Sequence, residues 1–165
     1  MLYNFSSGST DGGGPKAGLI ADSTGNLYGT AYYGGDVRCK LNVYPGCGVV
    51  FRLDKRGKET VLHKFEAGSD GSYPIAILTR DSAGNLYGTT TQGGNSNCPQ
   101  PSIGGCGTVF KLEPNGHESI LYRLTDGPDG ETPVAGVVRD PAGNLFGTSL
   151  IGIYNHGAVF EVSPK

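Results

Sequence analysis

Tryptophan is absent from this chain of 165 residues, and methionine occurs once. A basic excess is also missing. Thirteen Lys and Arg stand against fifteen Asp and Glu, for a net charge of −2 and a pI near 5.9. That argues against an electrostatic nucleic-acid binder, which needs a basic face. Charge runs are lacking too; the densest patch, DKRGKE at Asp54–Glu59, reads as a solvated hairpin tip. No apolar run approaches the ~18 residues of a membrane span. Residues 1–5, MLYNF, have neither a basic n-region nor an apolar h-region, so no signal peptide is read. The most telling lack is of room for helices. With 29 Gly and 10 Pro, no stretch free of both exceeds ten residues, which leaves ordinary helices nowhere to sit.

What is present is a repeat. DSTGNLYGT begins at Asp22, DSAGNLYGT at Asp81 and DPAGNLFGT at Asp140, each 59 residues after the last. The same period relates DGGGP at Asp11, DGSYP at Asp70 and DGETP at Asp129. GVVFRL at Gly48 and GTVFKL at Gly107 keep it, whereas GAVFEV begins at Gly157, nine residues early. The missing nine fall between Gly152 and Gly157, in the loop that carries two cysteines in the other copies. LHKF at Leu62 and LYRL at Leu121 match LYNF at Leu2. Glycines that recur in register and flank β-branched and aromatic runs argue for a turn-rich all-β chain rather than disorder.

Each unit reads as four strands. In the middle copy they are Ile75–Asp81, Asn85–Gln92, Gly107–Glu113 and Glu118–Leu124. Phe110 and Leu112 alternate with Val109 and Lys111, and Phe51/Leu53 and Phe160/Val162 repeat the pattern, the period-2 signature of a strand. Gly84, Gly57 and Gly116 supply the turn positions that need positive φ. Four antiparallel strands recurring every ~40–60 residues are the sequence signature of a β-propeller blade. One blade cannot bury both faces of its sheet alone, which is why the motif recurs. The expected fold is therefore all-β: three four-stranded antiparallel blades in one repeat domain, with repeats at about 6–65, 66–124 and 125–165 after a strand fragment at 1–5. Three blades are fewer than the four to eight usual for a propeller. The expected remedy is a ring or array completed by another chain. Strand Leu2–Phe5 would pair with Gly157–Val162 of a second copy, in a dimer or a filament.

The motifs D-x-x-G-N-L-[YF]-G-T, G-x-V-F-[KR]-L, L-x-x-F and D-G-x-x-P, in three copies over nearly the whole chain, resemble the GloVer (Gloeo/Verruco) tandem repeat. The third copy departs from it by Phe146 in place of Tyr and by its shortened loop. The resemblance implies a bacterial surface or secreted protein with a propeller-like fold, and it implies no defined activity.

Cys39 and Cys47 have the same spacing as Cys98 and Cys106, and the third copy lacks both members. The pairs behave as units and read as two intraloop disulfides; a four-cysteine zinc centre lacks its short ligand spacings. Disulfides imply an oxidising compartment, and a processed fragment of a secreted protein reconciles them with the sequence at residues 1–5.

Catalytic residues are not read. His63, His117 and His156 occupy non-equivalent positions, and no Ser or Cys has an evident base beside it. Asp11, Asp70 and Asp129 recur in every copy, where a catalytic site would need asymmetry. They read first as turn formers, with calcium ligation as the second reading and no cofactor required. The DG-x-x-P loops and the cysteine loops share one face of a propeller. On that face Tyr32, Tyr33, Tyr73 and Tyr154 are the candidates to stack on a glycan. The expected function is a non-catalytic extracellular or cell-surface module, a binding or assembly scaffold. A sugar-binding lectin and a self-assembling fibre subunit remain open within that class. The opposing class is a polysaccharide lyase or glycosidase. Its only asymmetric location would be the third copy, around Asp129, Glu131, Tyr154 and His156.

Overall fold

The computed structural model describes residues 1–6, 11–36, 38–39, 45–95, 98, 104–125, 127–152, 154 and 156–163. Among them are thirteen strands and no helix long and apolar enough to cross a membrane. The first repeat forms a four-stranded meander of β2 (Ile20–Ala21), β3 (Leu27–Ala31), β5 (Val49–Leu53) and β6 (Glu59–Lys64), all antiparallel neighbours. The second repeats it with β7 (Thr79–Arg80), β8 (Leu86–Thr90), β9 (Thr108–Leu112) and β10 (Glu118–Arg123). The third has three strands, β11 (Val138–Arg139), β12 (Leu145–Ser149) and β13 (Ala158–Val162). A small sheet of β1 (Gly12–Gly13) and β4 (Tyr33–Gly34) ties two loops together.

The D-x-x-G-N-L-Y-G-T motif can be read atom by atom. Asp81 Oδ1 accepts the Asn85 backbone N–H at 2.9 Å, and its Oδ2 accepts Asn85 Nδ2 at 2.8 Å and the Tyr87 hydroxyl at 3.0 Å. The Asp22 carboxylate is bound in the same way by Asn26 and Tyr28, and Asp140 by Asn144 but without a counterpart of the tyrosine bond, because Phe146 has no hydroxyl. The motif glycine serves close approach. Gly88 pairs with Phe110, whose ring lies where a Cβ would be, 2.6 Å from that position. The motif threonine reaches the next repeat: Thr30 Oγ1 donates to Ala76 O at 3.1 Å, and Thr89 Oγ1 to Ala135 O at 3.0 Å.

Packing follows from these links. One core joins Val50 and Phe65 of the first repeat to Leu78, Leu86, Phe110 and Leu112 of the second. Another joins Tyr87, Val109 and Leu124 of the second to Val137, Leu145, Phe160 and Val162 of the third. Each sheet is thus apolar on both faces, and each interior face is covered by a neighbouring repeat.

One expectation is corrected. The first strand of the middle unit is confined to Thr79–Arg80 instead of Ile75–Asp81, because Ala76 directs its carbonyl to Thr30 of the preceding sheet. Residues 1–6 form no strand. The partner strand expected for this segment belongs to a second copy; within one chain the segment is held by side chains, with the Phe5 ring 5.0 Å from that of Phe51 and at 69° to it.

Partial burial acts to raise the Asp81 carboxyl, but the hydrogen bonds from Asn85 and Tyr87 outweigh it and hold the group below its ordinary value. A depressed folded pKa adds stability above the unfolded value, and that stability is lost as pH falls through it. Unfolding free energy is therefore expected to drop below about pH 4. Losing the three hydrogen bonds in Asp81→Ala is expected to cost about 2 kcal/mol at pH 7 and to flatten part of the acid limb. Urea unfolding at pH 7 and pH 3 measures both.

Candidate functional site

The cysteine loops and the DG-x-x-P loops meet on one face, and the meeting is repeated. β1 pairs with β4 in the first copy, Ser72 bridges Gln92 in the second and Glu131 bridges Ile151 in the third. The residue before the proline in this motif then reaches back one repeat. Tyr73 N donates to Cys47 O, and Thr132 N to Cys106 O, both at 2.8 Å. To do so, both residues adopt left-handed backbone, at φ 59° and 57°, where the first copy has Gly14 at 61°. A non-glycine residue pays ~1–3 kcal/mol for that conformation. The adjoining prolines fill the space beside Gly48 and Gly107, where a Cβ would meet Pro74 and Pro133 at 2.5 and 2.6 Å.

Cys39–Cys47 and Cys98–Cys106 are disulfides with Cα atoms 5.6 and 5.7 Å apart, and all four cysteines belong to the inter-repeat cores. Much of the loop that each closes, residues 40–44 and most of 96–103, lies outside the described residues.

Of the aromatic candidates, three are brought together. The Tyr73 ring is buried and stacks on Tyr32 with centroids 4.7 Å apart, and Tyr33 meets Tyr32 edge-on at 6.2 Å. Lys16 Nζ lies 3.7 Å from the Tyr32 centroid, within cation–π range. Burial, then the neighbouring Tyr32, raises the Tyr73 hydroxyl above its ordinary value. The stack fills its own loop. Tyr154 is no part of it and is 82% exposed. In the third copy Glu131 is buried with Oε2 3.7 Å from Cys106 Sγ, while His156 is exposed.

The three repeated aspartates lie one per repeat, Asp70 and Asp129 in the loops that follow β6 and β10 and Asp11 directly before β1. Asp11, Asp70 and Asp129 accept the backbone N–H of Ser6, Glu66 and Thr125 at 2.8, 2.7 and 2.9 Å. Each also faces the same repeat position of its own junction. Tyr3 donates its hydroxyl to Asp11 at 3.0 Å, His63 Nε2 lies 3.2 Å from Asp70 Oδ1, and Tyr122 is hydrogen-bonded to Asp129. A β-bulge precedes the position in two copies: the ladder skips Leu62 before His63 and Leu121 before Tyr122. The extra residue re-aims these side chains toward the aspartate.

A carboxylate from the following repeat completes the junction. Glu118 joins His63 and Asp70, with donor atoms of the three all within 4.8 Å of one another. Glu118 Oε1 is buried and has no hydrogen-bond partner. Burial first, and the negative charge of Asp70 second, push the Glu118 carboxyl up to about 7. Glu59 stands at the same place in the first repeat and is raised by burial and by Asp11. There burial, then the Asp11 hydrogen bond, push Tyr3 up to about 12. Sequence reasoning singled out Asp70 and missed Glu118. The signal was available, because Glu59 and Glu118 are themselves 59 residues apart.

The Gloeobacter/Verrucomicrobia repeat family model matches residues 1–98. None of the curated proteins matches the sequence. A solved structure with a provisional gluconolactonase label is similar, with a TM-score of 0.53 at 17% identity over 88% of this chain and 48% of the other. A gluconolactonase of Xanthomonas campestris, described as important in glucose secondary metabolic pathways, is similar at a TM-score of 0.44 and 16% identity over 90% of this chain and 61% of the other. The chain thus spans about half to three fifths of the length of these structures. At such identities the first likeness bears on the fold alone.

Because both disulfides staple core segments, Cys98→Ser with Cys106→Ser is expected to cost about 2.5 kcal/mol in the loop-entropy model. Denaturant melts of the double variant against the oxidised protein measure that loss.

Proposed function

The chain belongs to the Gloeobacter/Verrucomicrobia repeat family, and from that premise we propose that it is a non-catalytic extracellular scaffold that assembles through the open faces of its end sheets. One observation carries the reading. Val50 and Val109 are fully buried because the next repeat covers them, whereas Val159, at the same position of the third sheet, is 78% exposed. Around it Val138, Phe146 and Thr148 line a shallow groove of about 250 Å³.

The first sheet presents the opposite half of the same junction. Leu78 is 2% exposed where the preceding repeat covers it, and its counterpart Leu19 is 46% exposed. Leu19 borders a hollow of about 350 Å³ with Phe5, Phe51 and Leu53. The two faces have the composition of a junction that the chain already makes twice within itself. A second copy seated on either end would bury them in the same way. Two copies closing on each other would give six blades, within the usual range for a propeller, and copies joined without closure would give a filament.

The other supports are indirect. Two disulfides suit an oxidising compartment. The repeated carboxylates accept backbone N–H groups, as turn formers do. The likeness to gluconolactonases, at 17% identity, brings no activity with it.

Sedimentation equilibrium at tens of micromolar is expected to return a multiple of the 17.1 kDa chain mass. Val159→Asp places a charge on a side chain that one chain leaves in water, so folding is expected to persist while association weakens at least ~100-fold. A wild-type protein that stays monomeric would refute the reading.

A further inference from the structure

We infer that His63, Asp70 and Glu118 form a binding site for one divalent transition-metal ion of the zinc class, at the junction of the first and second repeats. The donor set is one imidazole nitrogen and two carboxylates, with the ligand atoms within 4.8 Å of one another. Such a mixed N/O set suits zinc and its neighbours. Calcium instead takes six to eight oxygens.

Three features beyond the cluster point to a cation. Glu118 Oε1 is buried without a hydrogen-bond partner, and a ligand is one way to satisfy such an atom. Asp70 is held from behind, where Oδ2 accepts the Glu66 N–H at 2.7 Å, while its carboxylate meets His63 Nε2 at 3.2 Å and is hydrogen-bonded to Glu118 on the side of the site. That is the support an outer shell gives a ligating carboxylate. The third feature is the contrast between copies. The position occupied by His63 is Tyr3 in one copy and Tyr122 in another, and both hydrogen-bond to their aspartate through the phenol. A neutral phenol is a poor ligand. One substitution in an otherwise repeated junction therefore turns a structural hydrogen bond into a metal-ligating donor set. The ion would bridge two repeats, since His63 lies on β6 and Glu118 on β10.

The test uses untagged oxidised protein titrated with Zn²⁺ by calorimetry, and with Co²⁺ followed by its visible ligand-field absorption. The expected result is one ion per chain. His63→Tyr, which installs the residue of the sister copies, and Glu118→Gln are each expected to weaken binding ~10-fold or more. A double change of the exposed His117 and His156 to Ala is expected to leave binding as it was. Two variants guard against a folding defect in either, and circular dichroism checks both. No stoichiometric Zn²⁺ binding, binding that survives both His63→Tyr and Glu118→Gln, or binding lost only with His117 and His156 would overturn the site.

Discussion

Everything in this molecule depends on one sheet covering the face of the next. A four-stranded meander with apolar residues on both faces is not stable alone. The repeat meets the constraint with polar ties as well as apolar packing. The motif threonine donates to a carbonyl of the following repeat, and the guanidinium groups of Arg80 and Arg139 lie over Tyr28 and Tyr87 of the preceding one. These ties set the angle and register of the stack, and burial supplies most of the free energy. The same dependence explains why the exposed apolar residues Leu19, Val138 and Val159 gather on the two end sheets.

The loop face shows how a repeat can be strained in the same way more than once. Tyr73 and Thr132 hold left-handed backbone in order to bond the second cysteine's carbonyl in the repeat before. The disulfide, the following glycine and the proline that packs over it hold that geometry from both sides. The cost of the backbone is offset by a junction that would otherwise leave a buried carbonyl unsatisfied.

Against this regular background, differences between copies are where chemistry can enter. The outer junctions share an aspartate, a hydrogen-bonding side chain behind a bulge and, in two copies, a glutamate. In the middle copy the side chain is His63, and the set becomes imidazole plus two carboxylates. A repeat protein need not build a site from nothing, since a junction that already concentrates charge needs only one new donor.

By itself the sequence determined the all-β class, the three-fold repetition, the strand order within each unit, the turn at D-x-x-G-N and the pairing of the cysteines. Each of these is local or periodic: alternation, turn chemistry and a fixed spacing are all visible along the chain. The aspartates were legible as turn formers for the same reason. Only the tertiary structure decided that the first strand shrinks to two residues, that residues 1–6 pack by side chains without a ladder, and that Tyr73 is buried in a stack. It alone placed Glu118 against His63 and Asp70. These outcomes rest on contacts between neighbouring repeats, whose partners lie 26 to 58 residues apart in hydrogen bonds that cross the junctions. A one-dimensional pattern shows that two positions are equivalent, but not which two positions touch.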